Sequence, residues 1–186
     1  RIRNTTRNRA ARALAGIASP ACVEAVFDCL ESAQPGLQYQ LLKTLSKLRN
    51  SESGLLFPID RVRAALRGAT RTYWELMQIQ ELLPAAGGRG ITLLRRALGE
   101  KCDQYLKGIF RLLALIHPPQ DLFNAYLGYV SGDGSDRGSA LEFLENVLVR
   151  GDRELVVALL DAPTPAAAVR IGAGHFGTPF EDLDQA

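Results

Sequence analysis

The sequence predicts an all-α chain of helical pairs, and three observations lead there. First, apolar residues recur three or four apart along most of the chain. The longest stripe is Ile91, Leu94, Leu98, Cys102, Tyr105, Ile109, Leu112 and Ile116, with Leu106, Phe110 and Leu113 forming a second ridge beside it. That width lets one helix touch two neighbours. Second, the striped segments are separated by short Pro- and Gly-bearing corners, and no segment shows the alternation of a strand. Third, the chain resembles itself at a constant offset of 99 residues. Pro20 falls on Pro119, Val23 on Leu122, Phe27 on Tyr126, Leu42 on Leu141, Leu45 on Leu144 and Leu48 on Val147. A proline corner, two helices and the turn between them share that offset, which slid amphipathic stripes alone do not produce.

Taken in order, Thr5 to Ala18 reads as a helix with Ala11, Leu14 and Ile17 inward and Arg3, Arg7, Arg9 and Arg12 mostly outward. At a second offset, of 31 residues, that triplet maps onto Leu42, Leu45 and Leu48. Ser19-Pro20 supplies a cap and a first-turn proline for the next helix, striped by Val23, Val26, Phe27 and Leu30. Gln34-Pro35-Gly36 turns the chain into a helix with Leu41, Leu42, Leu45 and Leu48 inward. Pro58 to Leu83 is one long helix, with Val62, Leu66, Ala69, Tyr73, Leu76 and Leu83 on its inner stripe. Ala85-Ala86-Gly87-Gly88 ends it, so that with the Ile91–Ile116 helix it makes a central hairpin. Pro118-Pro119 stops that second helix, because proline offers no N–H and biases its predecessor away from the helical region. Leu122 to Val130, Ala140 to Leu148 and Leu155 to Leu160 are three shorter helices. Pro163-Thr164-Pro165 breaks the last of them. Gly172 to Ala186 is glycine-rich and then acidic, and is expected to be an arm or a tail. The organisation is thus a helical-repeat domain over 1–162 and a C-terminal segment over 163–186.

Composition sets further bounds. With 186 residues, 47% hydrophobic and 23% charged, the chain is long enough for one substantial core. No apolar run approaches the roughly 20 residues of a membrane helix. Cys22, Cys29 and Cys102 are odd in number and lack a CxxC, which points to a reducing, cytoplasmic setting. The chain opens on Arg1 without a charged-then-apolar leader, so it is expected to be a piece of a longer protein. The net charge of +2 is unevenly spread: Arg1 to Ala18 holds five arginines and no acid, while Gln120 to Asp161 holds eight acids and three arginines. Either this is a solvated mosaic or a basic and an acidic end orient the chain for docking.

Helical pairs with a proline-led first helix and a period in the low thirties look like HEAT repeats, which implies a HEAT/armadillo-like α-solenoid of antiparallel helix pairs. A narrower resemblance rests on Ile109-Phe110-Arg111-Leu112-Leu113, Ile116-His117-Pro118-Pro119-Gln120-Asp121, Ser131-Gly132-Asp133 and Ala140-Leu141-Glu142-Phe143-Leu144-Glu145-Asn146. These are similar to the HEAT segment of bacterial proteins that fuse a nucleotide-translocase-like (ADP/ATP carrier) membrane domain of major-facilitator type to helical repeats. Some of those proteins also carry a cyclic-nucleotide-binding domain. The Arg61–Leu98 hairpin fits the same segment. His117 departs from it, standing where an aromatic such as tyrosine belongs, and the chain beyond Pro163 has no counterpart. The resemblance implies a cytoplasmic module tethered to the inner membrane through a domain outside this chain. No transport residue carries over.

Motifs that would carry chemistry are weak. Gly172-Ala173-Gly174-His175-Phe176-Gly177 fits GxGxxG, but the fingerprint needs a buried strand before it and a helix after it, and Thr178-Pro179 follows instead. Asp133-Gly134-Ser135-Asp136-Arg137-Gly138 resembles a calcium loop, yet Arg137 occupies a ligand position and Leu144 stands where the bidentate glutamate belongs. It reads as a helix-capping turn. His117 and His175 are the only histidines, too few for a zinc site or a histidine-based triad. No cofactor, metal or small-molecule substrate is expected, and no enzyme.

One cluster suggests binding. Arg63, Arg67 and Arg71 sit four apart, on one ridge of the long helix, and Glu75 can answer only one of them. Arg95, Arg96, Lys101, Lys107 and Arg111 make the following helix basic. The ridge would take phosphate, an acidic protein or anionic lipid headgroups; alternatively the arginine stems merely cover apolar surface with their heads in water. Trp74, off the inner stripe, is the expected interface anchor. The expected function is a non-catalytic interaction or regulatory module, its partner another protein or its own membrane domain. The alternative is a nucleic-acid-binding helical repeat, against which stand the missing aromatic interleaving and the acidic C-terminal third.

Overall fold

A computed structural model describes residues 19–52, 54–84, 87–177 and 180. Within them every regular element is a helix: α1 (Pro20–Ser32), α2 (Pro35–Ser51), α3 (Ile59–Leu82), α4 (Arg89–Ile116), α5 (Pro119–Val130), α6 (Gly134–Val147), α7 (Arg150–Leu160) and α8 (Pro165–Phe176). No strand occurs among the described residues. The expected helix over Thr5–Ala18 lies outside them, as does the acidic end of the tail.

Local chemistry sets several of the boundaries. The Ser19 hydroxyl accepts from the Cys22 N–H at 3.2 Å, with Pro20 in the first turn of α1. Asp133 Oδ1 accepts from the Ser135 N–H at 2.8 Å and opens α6, so the calcium-like loop is a capping turn. Thr164 Oγ1 accepts from the Ala167 N–H at 3.1 Å and opens α8. The 163–165 stretch is therefore a helix start as well as a break, and residues 165–176 are a helix where an arm is expected from the sequence.

The 99-residue offset reappears in the helix starts: Pro20 and Pro119 open α1 and α5, and Pro35 and Gly134 open α2 and α6. Burial follows it. Val23 and Leu122, Val26 and Ala125, Leu41 and Ala140, Leu42 and Leu141, and Leu45 and Leu144 are all buried. The matching is looser at Tyr126 and Val147, half-buried where Phe27 and Leu48 are fully enclosed.

The chain divides into two compact units. The first holds α1, α2, the start of α3 through Leu66, and Phe110–Phe123. There α1 packs on α2. Its core includes Phe27, Leu45, Leu48, Leu66, Leu112 and Leu113. The Tyr39 ring lies against two cations, Lys43 Nζ at 4.9 Å and Arg111 Cζ at 5.3 Å, which ties the end of α4 to α2.

The second unit holds Arg67–Ile109 and Asn124 onward. In it α6 packs on α7 and α7 on α8. The Leu160 carbonyl, at the end of α7, accepts from Tyr129 Oη at 3.1 Å and Arg137 Nη2 at 2.8 Å, satisfying an orphan acceptor of the helix terminus. Gly99 approaches Gln80, and Tyr105 hydrogen-bonds Thr72, so these parts of α3 and α4 are neighbours. At the other end of α4's stripe, Leu93 and Leu94 are exposed, against the expectation that Leu94 faces inward.

Candidate functional site

The arginine ridge is placed on α3 as its spacing requires, but the three side chains have different surroundings. Arg63 belongs to the first unit and is half-buried, with interactions of its own. In the second unit, Arg67 Nη2 donates to the His175 carbonyl at 2.9 Å, and its guanidinium lies over the Phe176 ring at 5.5 Å. A cation at the carbonyl end of α8 is favoured there by the helix dipole. Arg71 Nε donates to Glu75 Oε1 at 2.9 Å, an i,i+4 pair in solvent. Both charges are thus partly answered within the chain. An exposed pair of the Arg71–Glu75 kind contributes about 0.3–0.5 kcal/mol, so Arg71→Gln should leave the thermal midpoint within a degree or two of wild type; a larger drop would show a structural role.

Trp74 is not a surface anchor. It is 2% exposed, at the centre of a cluster with Leu159 and Ala168, flanked by Met77, Ile171 and Phe176. Its Nε1 donates to the Val169 carbonyl at 2.9 Å, and the Phe176 ring lies 5.4 Å away. Gly172 admits it: a methyl built on Gly172 would collide with Trp74 Cδ1 and Nε1. The physical reason is a second buried stripe on α3, Thr70, Trp74 and Gln78, in which α8 covers Trp74. The spacing of those three at four-residue intervals is the signal that sequence reasoning passed over.

A site not anticipated from the sequence lies in the first unit. Arg61, at the start of α3, reaches three carboxylates of α1: Glu24 Oε2, Asp28 Oδ1 and Glu31 Oε1, each 2.7 Å from a guanidinium nitrogen. Its Cζ sits 5.4 Å from the Phe27 ring centroid. These bonds push the Arg61 pKa further up, hydrogen bonding to Asp28 first. The acids follow the i, i+4, i+7 spacing of one helix face, where they would repel without a cation between them. Arg61→Gln should therefore lower the melting temperature, and the deficit should shrink in 1 M salt as screening weakens that repulsion. A deficit independent of salt would assign Arg61 to packing instead.

The repeat makes this face informative. Positions 24, 28 and 31 correspond, 99 residues on, to Phe123, Leu127 and Val130 of α5. Those three are 53%, 47% and 44% exposed. One helix frame therefore presents three carboxylates gathered by an arginine in its first copy and three half-exposed apolar side chains in its second.

Reactive groups are held back. Burial, and after it the Asp103 carboxylate, push the Cys102 thiol up to about 11. Burial also raises Cys22, while Cys29 is exposed. Near pH 8 the Cys102 thiolate population is then about a hundredfold below that of an ordinary thiol. Brief maleimide treatment should add one label, at Cys29; prompt double labelling seen by mass spectrometry would contradict this geometry. Among the described residues no cluster of His, Cys, Asp and Glu could hold a metal ion, and no helix is long and apolar enough to cross a membrane.

Compared with models of protein families, with curated proteins and with solved structures, the chain matches none.

Proposed function

We propose that this chain is a non-catalytic helical-repeat interaction module, built as a HEAT-like solenoid of antiparallel helix pairs, α1 with α2, α3 with α4, α5 with α6 and α7 with α8. The observation that carries the reading is the 99-residue register of helix starts together with the divergent outer face it frames. Stacked pairs of this kind bury one side of each helix against neighbours and leave successive outer faces free to vary, which is how repeat proteins present extended binding surfaces. Contact of α3 with α4 at Gln80 and Gly99, and again at Thr72 and Tyr105, supports an antiparallel pairing there. The apolar row on α5 favours a protein partner, since exposed apolar side chains in a row mark association surfaces more than anion sites.

The resemblance around Ile109–Asn146 supports the further reading that the partner is the protein's own membrane domain and the location the cytoplasmic face of the inner membrane. The reading frame from which this chain comes tests the tether: about a dozen apolar runs of roughly 20 residues each are expected, and a frame without them removes it. Binding is tested with vesicles and duplex DNA. A protein-binding module should bind neither strongly at physiological salt, whereas DNA binding with a steep log–log salt dependence would replace this reading with the nucleic-acid one.

A further inference from the structure

The C-terminal helix α8 occupies the α3 face that Arg67 and Trp74 share. It is held there by contacts of four kinds, all within the second unit. Arg67 caps its carbonyl end at His175, and Trp74 Nε1 donates to Val169 O. Gly172 lets the helix axis approach the indole, and beyond the helix the Phe180 N–H donates to Gln78 Oε1 at 2.7 Å. Gly177 closes α8 with a φ of +103°, which only glycine adopts without strain.

Two features work against the docked state. Gly174 sits in the last turn of α8 with nothing within 4 Å of where a Cβ would be, so no close approach requires glycine there, yet it weakens the end of the helix. Gln78 is 2% exposed and its Nε2 has no hydrogen-bond partner, a buried donor that water would satisfy if the face opened. The helix itself buries mainly small side chains, Ala167, Ala168 and Gly172.

We propose that α8 is a releasable latch over a helix-docking face of α3, poised to open separately from the rest of its unit. Opening uncovers Trp74 and Met77, frees Arg67 Nη2 and Trp74 Nε1, and exposes Gln78 Nε2, a row of donors beside apolar surface. That face fits an amphipathic helix with a small residue over the indole and its carbonyl end toward Arg67, as α8 itself has. The latch does not depend on which partner the module serves.

Trp74 is the sole tryptophan, so its fluorescence reports the latch directly. Native-state hydrogen exchange on the full chain should show α8 amides opening faster than those of α7 at Val156 and Val157. Gly174→Ala, which strengthens the helix without a clash, should slow α8 exchange about two- to fivefold and reduce acrylamide quenching of Trp74. Arg67→Gln should speed α8 exchange by a similar factor through loss of the terminal cation. Gly172→Ala should open the latch outright and shift the emission to the red. If α8 amides in wild type exchange as slowly as those of α7, or if Gly174→Ala slows both helices equally, α8 is part of the cooperative core and the latch is overturned. Because Gly174→Ala is a stabilising change, the test survives even if Gly172→Ala fails to fold.

Discussion

Truncating Leu45 to alanine is expected to destabilise the protein by about 2–5 kcal/mol, and truncating Leu144 by a comparable amount. Both side chains are 0% exposed, at equivalent positions of the 99-residue repeat, one on α2 and the other on α6. The loss has two parts, the transfer free energy of the deleted methyl groups and the cavity they leave in a close-packed interior. Leu127→Ala makes the contrast, because that leucine is almost half exposed and its removal opens no cavity; its effect should stay within about 0.5 kcal/mol. Urea unfolding of the three variants measures all of this. A loss under about 1 kcal/mol at either Leu45 or Leu144 would mean that position is not enclosed, and a wide disparity would break the equivalence on which the repeat rests.

Such positions were legible because their causes are local or periodic. Ser19-Pro20, Asp133 and Pro118-Pro119 mark helix ends through capping and missing donors, which act within a few residues. The stripes identified Phe27, Leu45, Phe110 and Leu144 as core, all of them buried, with Tyr126 half-buried. Charge partners were another matter. Arg71 with Glu75 follows the i,i+4 rule, but Arg67 meets a carbonyl 108 residues away, and no local rule reaches that far. Arg61 likewise finds its three carboxylates two helices back along the chain. The hardest element was α8. Its two glycines lower its intrinsic propensity, and it packs against α3 and α7. Thr164-Pro165 nonetheless carries the same cap-and-proline signature as Ser19-Pro20, and that signal was available. Trp74 lies off the stripe that carries Tyr73, which is what points to an exposed anchor; its cover comes from α8, a helix distant in sequence.

Trp74→Ala separates the two roles cleanly. An exposed interface anchor would lose binding and leave folding intact, since surface truncations far from special features change stability by about 0.5 kcal/mol or less. The geometry calls for the opposite result. Removing the indole empties the centre of the Leu159 and Ala168 cluster, takes the ring from Phe176, and deprives the Val169 carbonyl of its second donor. Large aromatic truncations in such settings cost about 3–5 kcal/mol. Phenylalanine at the same position keeps most of the apolar volume but not the N–H, so Trp74→Phe should lose less, with the hydrogen bond accounting for about 1 kcal/mol of its deficit. Chemical denaturation followed by circular dichroism reads both variants, because neither retains a tryptophan to follow. The first unit offers an internal reference: Tyr39, against Lys43 and Arg111, lies in a separate compact body and should keep its environment in both variants. If Trp74→Ala unfolds at the wild-type midpoint, the indole is not holding α8 in place, and the docked arrangement of that helix falls with it.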